Sequence, residues 1–132
     1  MNRIVVALLL CTLTATAHSD DSVVTEAALS WLSLIDGGKY SESWDKSAPY
    51  LQSTISQQDW VAALNGVRKP LGAAAKRKVR NSKSLSSLPG APDGEYVIFT
   101  LKTSFEHKAK AVETLTMVMA NDEWRAVGYF IK

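Results

Sequence analysis

The spacing of apolar residues changes at Gly72, and this change constrains the fold more than any other feature of the sequence. Before Gly72, apolar residues recur at the helical period of about 3.6 residues, and after it they alternate with polar ones, as in a strand. Helices followed by consecutive antiparallel strands are typical of the α+β class. The sequence therefore predicts N-terminal helices packed on one face of a curved antiparallel four-stranded sheet.

Three helices are expected before Gly72. The first begins near Asp21 and ends at Gly37 and Gly38, because glycine commonly terminates helices. A short second helix carries Tyr40, Trp44 and Ala48 and is interrupted by Pro49. The third begins after Ser56, which resembles a helix cap, and ends at Pro70. Its expected apolar stripe consists of Trp60, Leu64 and Val67.

Four strands are expected after Gly72. The alternation predicts them at residues 75–82, 96–105, 112–120 and 124–131. The segment 88–94 is rich in Pro and Gly and is expected to form a loop. His107 and Lys108 are expected at a hairpin tip, and Asn121 and Asp122 in a turn.

The N-terminus has the layout of a secretory signal peptide. Arg3 precedes the apolar residues 4–10, and the small residues 15–17 match an A-x-A cleavage site. Cleavage after Ala17 leaves a single domain, residues 18–132, in the periplasm or outside the cell. The apolar run is shorter than the ~20 residues that a membrane-spanning helix needs, and no transmembrane segment is expected in the mature chain.

The single cysteine, Cys11, bears on two further expectations. One cysteine excludes an intrachain disulfide and a cysteine-based zinc site. Lipidation of Cys11 is the alternative to cleavage after Ala17, but Leu10 stands where a lipoprotein signal has a small residue. The formal net charge is +2, which together with the signal peptide disfavours a nucleic-acid partner.

Several motifs resemble a family of secreted bacterial proteins, domain-of-unknown-function family 4019. They are residues 31–40 with Ser43-Trp44, Trp60, residues 67–72, Arg77, residues 88–96, Phe105, Glu113-Thr114, Trp124-Arg125 and Gly128-Tyr129. The order of helices and strands is also similar to the nuclear transport factor 2-like cone, in which helices cover a bent sheet around a pocket. That resemblance implies a cone-like fold and a possible homodimer formed through the sheet. Its relatives include isomerases, dehydratases and non-enzymatic binding domains.

Arg77 and Glu113 are the strongest candidate site residues. Strand alternation places each of them on the apolar face of its strand. We expect the two to pair, because an unpaired buried charge is costly. One interpretation makes the pair the polar end of a ligand pocket walled by Trp31, Trp60 and Phe99. The other makes it an internal ion pair with a structural role.

A basic stretch is the second candidate feature. Residues 68–83 contain seven Lys and Arg side chains and no acidic one. Lys76, Lys78 and Arg80 alternate to one face of the first strand and form a basic stripe. The stripe is either an anion-binding surface or the solvated face of an edge strand, where lysines oppose aggregation.

The sequence offers little support for catalysis. His18 and His107 do not lie where a pocket base is expected, and no spacing suggests a metal site. No cofactor is expected. The pattern favours a binding domain that holds a small ligand in a helix–sheet pocket. The alternatives are a protein-interaction module, such as an inhibitor, immunity factor or envelope-complex subunit, and an enzyme using a pocket carboxylate.

Overall fold

Helices precede strands along the chain, as the periodicity predicts. The computed structural model describes residues 20–132; the predicted signal peptide, residues 1–17, lies outside them. The elements are α1 (Asp20–Asp36), α2 (Tyr40–Asp45), α3 (Pro49–Thr54), α4 (Gln57–Arg68), β1 (Ala74–Leu85), β2 (Tyr96–Phe105), β3 (Lys108–Ala120) and β4 (Glu123–Ile131). The strands form one antiparallel sheet in the order β1-β2-β3-β4. The α+β class is confirmed, and the arrangement is compatible with a cone.

Two glycines end α1. Gly38 adopts a left-handed conformation with φ of 72°, and its N–H donates to the Ile35 carbonyl. The Lys39 N–H then donates to the Leu34 carbonyl at 2.9 Å. Such bonds satisfy carbonyls that a helix end leaves without partners. They also fix the direction in which the chain enters α2.

The expectation that the second helix includes Ala48 and is interrupted by Pro49 is wrong. Helix α2 ends at Asp45, and Pro49 instead begins α3, a helix that the periodicity does not predict. Proline suits the first turn of a helix because its missing N–H would have no intrahelical acceptor there. Ala48 therefore caps α3, and its N–H donates to the Ala126 carbonyl of β4 at 2.8 Å. This bond ties α3 to the edge of the sheet.

The cap of α4 is confirmed, but its apolar stripe differs from the prediction. The Ser56 hydroxyl accepts a hydrogen bond from the Asp59 N–H. Trp60 and Leu64 are buried, whereas Val67 is 46% exposed. Arg68 is buried in its place because it continues the four-residue spacing of Trp60 and Leu64.

The β2–β3 turn departs slightly from its expected position. The β2–β3 turn consists of Glu106 and His107, and Lys108 already belongs to β3. This turn packs on Gly72, whose φ is 73° and where a Cβ would lie only 2.9 Å from the Glu106 Cβ. The Glu106 N–H donates to the Ala73 carbonyl at 2.9 Å. Gly72 thus permits a close approach between the α4–β1 connection and the hairpin.

The main core lies between the helices and one face of the sheet, called here the inward face. Its largest members are Trp31, Leu32, Ile35, Trp60, Phe99, Leu101, Leu115 and Met117. The opposite, outward face is partly covered by the loop at residues 86–95, beneath which Tyr96 and Val118 are buried. Register shifts interrupt the β1–β2 pairing at Ala75 and at Arg80, and Ala75 is exposed although simple alternation would place it on the same face as Arg77.

Candidate functional site

Arg77 and Glu113 form the ion pair that the strand alternation predicts. The Arg77 Nε donates to Glu113 Oε1 at 2.6 Å, and Nη2 donates to Oε2 at 3.1 Å. The residues lie on β1 and β3, so the contact spans the intervening strand β2. Both side chains lie on the inward face, and that of Glu113 is fully buried.

Two further charged residues join this pair. Asp36, at the end of α1, accepts bonds from Arg77 Nη1 at 2.6 Å and from Nη2 at 2.9 Å. It also accepts a bond from Arg68 Nη2 at 3.0 Å. We call Asp36, Arg68, Arg77 and Glu113 the charge cluster. Its two cations and two anions balance, which reduces the cost of burying them.

Neighbouring side chains of the protein donate several hydrogen bonds to the Glu113 carboxylate. Besides Arg77, the Thr103 hydroxyl donates to Oε1 and the Tyr129 hydroxyl donates to Oε2. Arg68 stacks over the Phe105 ring at 4.8 Å from its centroid, and its Nε and Nη1 donate to no acceptor among residues 20–132. The arrangement therefore holds a buried carboxylate through charges and hydroxyl donors from the surrounding protein.

The electrostatics favour the charged forms of Asp36 and Arg77. Burial alone would raise the pKa of Asp36, but hydrogen bonds and charges from Arg77 and Arg68 outweigh it and lower that pKa. Burial opposes ionisation of Arg77 too, yet Asp36 and Glu113 raise its pKa above the usual value. Burial first, and then the charge and hydrogen bond of Glu113, raise the pKa of Tyr129. Tyr129 therefore stays protonated and donates to Glu113.

The three predicted apolar wall residues lie in the main core. Trp31 packs against Trp60 with ring centroids 6.1 Å apart and against Tyr129 at 5.6 Å. Both indoles donate to Ser43 of α2, Trp31 to its carbonyl at 2.9 Å and Trp60 to its hydroxyl at 3.0 Å. Phe99 is almost fully buried. These contacts give the aromatic residues a packing role, and their ligand-binding role stays a prediction.

A groove opens at the other end of the helix–sheet interface. It encloses about 410 Å³ between α1, α2 and the β3–β4 side of the sheet. Its apolar lining includes Trp31, Leu34, Met117 and Trp124. A second hollow of about 420 Å³ continues from Trp124 along α1. We call the first of these the Trp31–Trp124 groove.

Charged side chains surround this groove. They are Glu42 and Lys46 of α2 and Glu123 and Arg125 of β4. Arg125 Nη2 donates to Glu123 Oε2 at 2.8 Å. Of the predicted site residues, Trp31 lines the groove, whereas Arg77 lies at the opposite end in the charge cluster.

Sequence reasoning missed Asp36, Arg68 and Trp124 as site residues. Arg68 follows the buried Leu64 by four residues and is itself buried. Asp36 follows the buried Leu32 by four residues, although its own side chain is 29% exposed. That spacing was a usable signal for the charge cluster. Trp124 carried no comparable signal, because its position depends on how β4 lies against α1.

The basic stripe is exposed. Lys76 and Lys78 lie on the outward face, and Arg80 lies at an irregularity of β1. Within residues 20–132, no group of three or more His, Cys, Asp or Glu side chains is arranged to hold a metal ion. Among the helices of that same segment, none has the length and apolar character needed to cross a membrane.

The family model described as "Protein of unknown function (DUF4019)" matches residues 27–129. The chain belongs to this family. The match includes α2, α3, α4 and the first three strands in full, together with both the charge cluster and the Trp31–Trp124 groove. No curated protein matches the chain. The DUF4019 assignment supports the family resemblance found in the motifs and leaves the activity open.

Proposed function

We propose that this DUF4019 protein is a secreted, non-catalytic binding domain that holds a small ligand in the Trp31–Trp124 groove. The observation that carries the proposal is the groove itself, with about 410 Å³ between helices and sheet. This volume falls within the range of small-molecule sites, roughly 300–1,000 Å³. The half-buried Leu34 and Trp124 offer an apolar surface, the buried Trp31 and Met117 lie behind it, and charged groups surround it.

The chemistry of the lining suggests the type of ligand. The half-buried Trp124 indole favours a flat or apolar body, which can stack on the ring or pack at its edge. Glu42, Lys46, Glu123 and Arg125 provide groups of both signs, which suit polar substituents. A small molecule with an apolar body and a polar end fits this lining.

A non-catalytic role is consistent with the state of the buried groups. Glu113 already accepts bonds from Arg77, Thr103 and Tyr129. The raised pKa of Tyr129 opposes release of its proton. General acid–base catalysis requires a group that is both accessible and able to exchange a proton near the working pH.

The location and fold superfamily form part of the proposal. A signal peptide at residues 1–17, cleaved after Ala17, would deliver the domain to the periplasm or the medium. We also propose that the fold is related to the nuclear transport factor 2-like cone. The helices on one face of an antiparallel sheet support this relationship.

The direct test is native mass spectrometry of the protein extracted gently from cells that produce it. We expect a reproducible small-mass adduct on the parent chain. Ser30→Phe should remove it, because Ser30 lines the groove and a phenyl ring would occupy the space. Leu29→Phe is the matched control, since Leu29 is 43% exposed on the same helix. A parent chain without any adduct would contradict retention of a ligand.

A protein-interaction role is the second candidate, and Phe130 favours it. This aromatic residue is 66% exposed on β4, where its register opposite Thr114 places it on the outward face. Exposed aromatic residues are often interface anchors. Phe130→Ser should abolish binding of a partner or of a second copy to this face, whereas Ser30→Phe should leave the complex unchanged.

A further inference from the structure

Four lysines converge on the outward face of the sheet. The inward positions Arg77 and Thr103 alternate with neighbours that point outward, among them Lys76, Lys78 and Lys102. Lys78 pairs directly with Lys102 across β1 and β2. Lys110 of β3 lies beside the buried Ala111 and completes the group.

These lysines surround a cavity of about 870 Å³. Its lining also includes the polar Arg77, Thr103 and Ser104 and the apolar Ala109, Ala111 and Val112, and no carboxylate among residues 20–132 lines it. We call this space the lysine cavity. Arg80 of the predicted basic stripe does not line it, whereas Lys102 and Lys110 extend the stripe across two more strands.

The charge of this face is not compensated locally. Neither β1 nor β2 contains an acidic residue, and Glu113 of β3 is turned inward and buried. None of the four lysines forms an ion pair within the described segment 20–132. Like charges placed directly opposite on neighbouring strands are destabilising. The Lys78–Lys102 pair therefore carries a stability cost that an anion would relieve.

We propose that the lysine cavity binds a small multivalent oxyanion, a molecule with two or more phosphate-type groups. Lysine binds phosphate as a compact, mobile point charge, and several lysines around one cavity suit an anion that carries more than one negative charge. The nearby arginine, Arg77, is already held by Asp36 and Glu113. The cavity lies on the opposite face from the Trp31–Trp124 groove, so this inference does not depend on the ligand proposed there.

The test is isothermal titration calorimetry with sodium tripolyphosphate, with inorganic phosphate as the monovalent comparison. Tripolyphosphate should bind more tightly than phosphate, and its affinity should fall as salt is added, since exposed charges are screened. Lys78→Gln and Lys102→Gln should each weaken binding about two- to fivefold. The double variant should weaken it by more than about fivefold.

Lys83→Gln is the matched control. Lys83 is exposed on β1 and does not line the cavity, so its substitution should change the dissociation constant less than the cavity variants do. Equal weakening by Lys83→Gln would overturn the proposal, because a diffuse basic surface would then explain binding. Failure of tripolyphosphate to bind would overturn it as well.

Two macromolecular probes complete the experiment. Polyglutamate and vesicles containing phosphatidylglycerol are tested for binding in the presence and absence of tripolyphosphate. One outcome is that a probe binds, that tripolyphosphate does not displace it, and that tripolyphosphate itself does not bind. That outcome would overturn the oxyanion site in favour of a surface for acidic peptides or membranes. Displacement by tripolyphosphate would support a shared oxyanion site.

Discussion

The two ends of the helix–sheet interface are built differently. At one end, the charge cluster joins α1, α4, β1 and β3 through short hydrogen bonds around the fully buried Glu113. At the other, α1 and α2 diverge from β3 and β4 and leave the Trp31–Trp124 groove between them. Arg77 and Glu113, the strongest candidate site residues in the sequence, thus have partners within the protein. The accessible space lies instead in the groove beside Trp124. We infer that the charge cluster stabilises the fold, and we propose that the Trp31–Trp124 groove binds the ligand.

Glu113→Gln should break the charge cluster and have the largest effect. Removing one partner of a buried ion pair costs about 3–5 kcal/mol, because the remaining charge loses its compensation. Denaturant unfolding measures the free-energy change. Glu106→Gln is the control, since the Glu106 side chain is 63% exposed. A Glu113→Gln protein as stable as the parent would rule out a stabilising role for the cluster.

Tyr129→Phe should have a smaller effect of the same kind. It removes one hydroxyl donor to the Glu113 carboxylate while keeping the ring that packs on Trp31. A hydrogen bond to a charged group contributes about 1.5–3 kcal/mol. Tyr50→Phe provides the comparison, because Tyr50 is 37% exposed and its hydroxyl donates to a backbone carbonyl. Equal losses for the two variants in thermal unfolding would contradict a special role for Tyr129.

Acid should weaken the charge cluster through Asp36. The pKa of Asp36 is lower in the folded protein than its ordinary value of about 3.9. The unfolded chain therefore binds the proton first, and the Asp36 contribution is present above that value and is lost as the pH falls below it. Asp36→Asn should make unfolding stability less dependent on pH as the pH falls below about 4. Asp93→Asn, which removes a carboxylate in an exposed loop, is the control variant. The same slope in all three proteins would refute the assignment.

Filling the groove should affect stability least. Ser30 is exposed, and substitutions at such positions usually change stability by less than about 0.5 kcal/mol. Ser30→Phe should therefore unfold nearly like the parent. A large loss of stability in this variant would show that the groove cannot accept a ring without disturbing α1, and would contradict its description as available space.

The sequence predicts most of the fold because the local signals agree with the tertiary contacts. Strand β2 has the predicted bounds, and its alternate residues Val97, Phe99 and Leu101 are buried. The sequence does not predict helix α3, because a proline such as Pro49 can either end a helix or begin one. The choice depends on the Ala48 contact with β4, which no local pattern contains.

The site was predictable only in part. Arg77 and Glu113 are each marked by alternation, so their pairing could be inferred before the fold was known. Composition alone assigns Arg68 to the basic stretch, although its helical spacing from the buried Leu64 indicates that it is buried too. The Trp31–Trp124 groove depends on the angle between α1 and the sheet, which is a tertiary property.

The distinction between the two ends is tested most directly by native mass spectrometry of Tyr129→Phe and Ser30→Phe, both confirmed to be folded. We expect Tyr129→Phe to lose stability and keep the adduct, whereas Ser30→Phe should keep its stability and lose the adduct. The reverse pattern, with the adduct lost in Tyr129→Phe and retained in Ser30→Phe, would place the ligand at Arg77 and Glu113 and rule out the groove as its site.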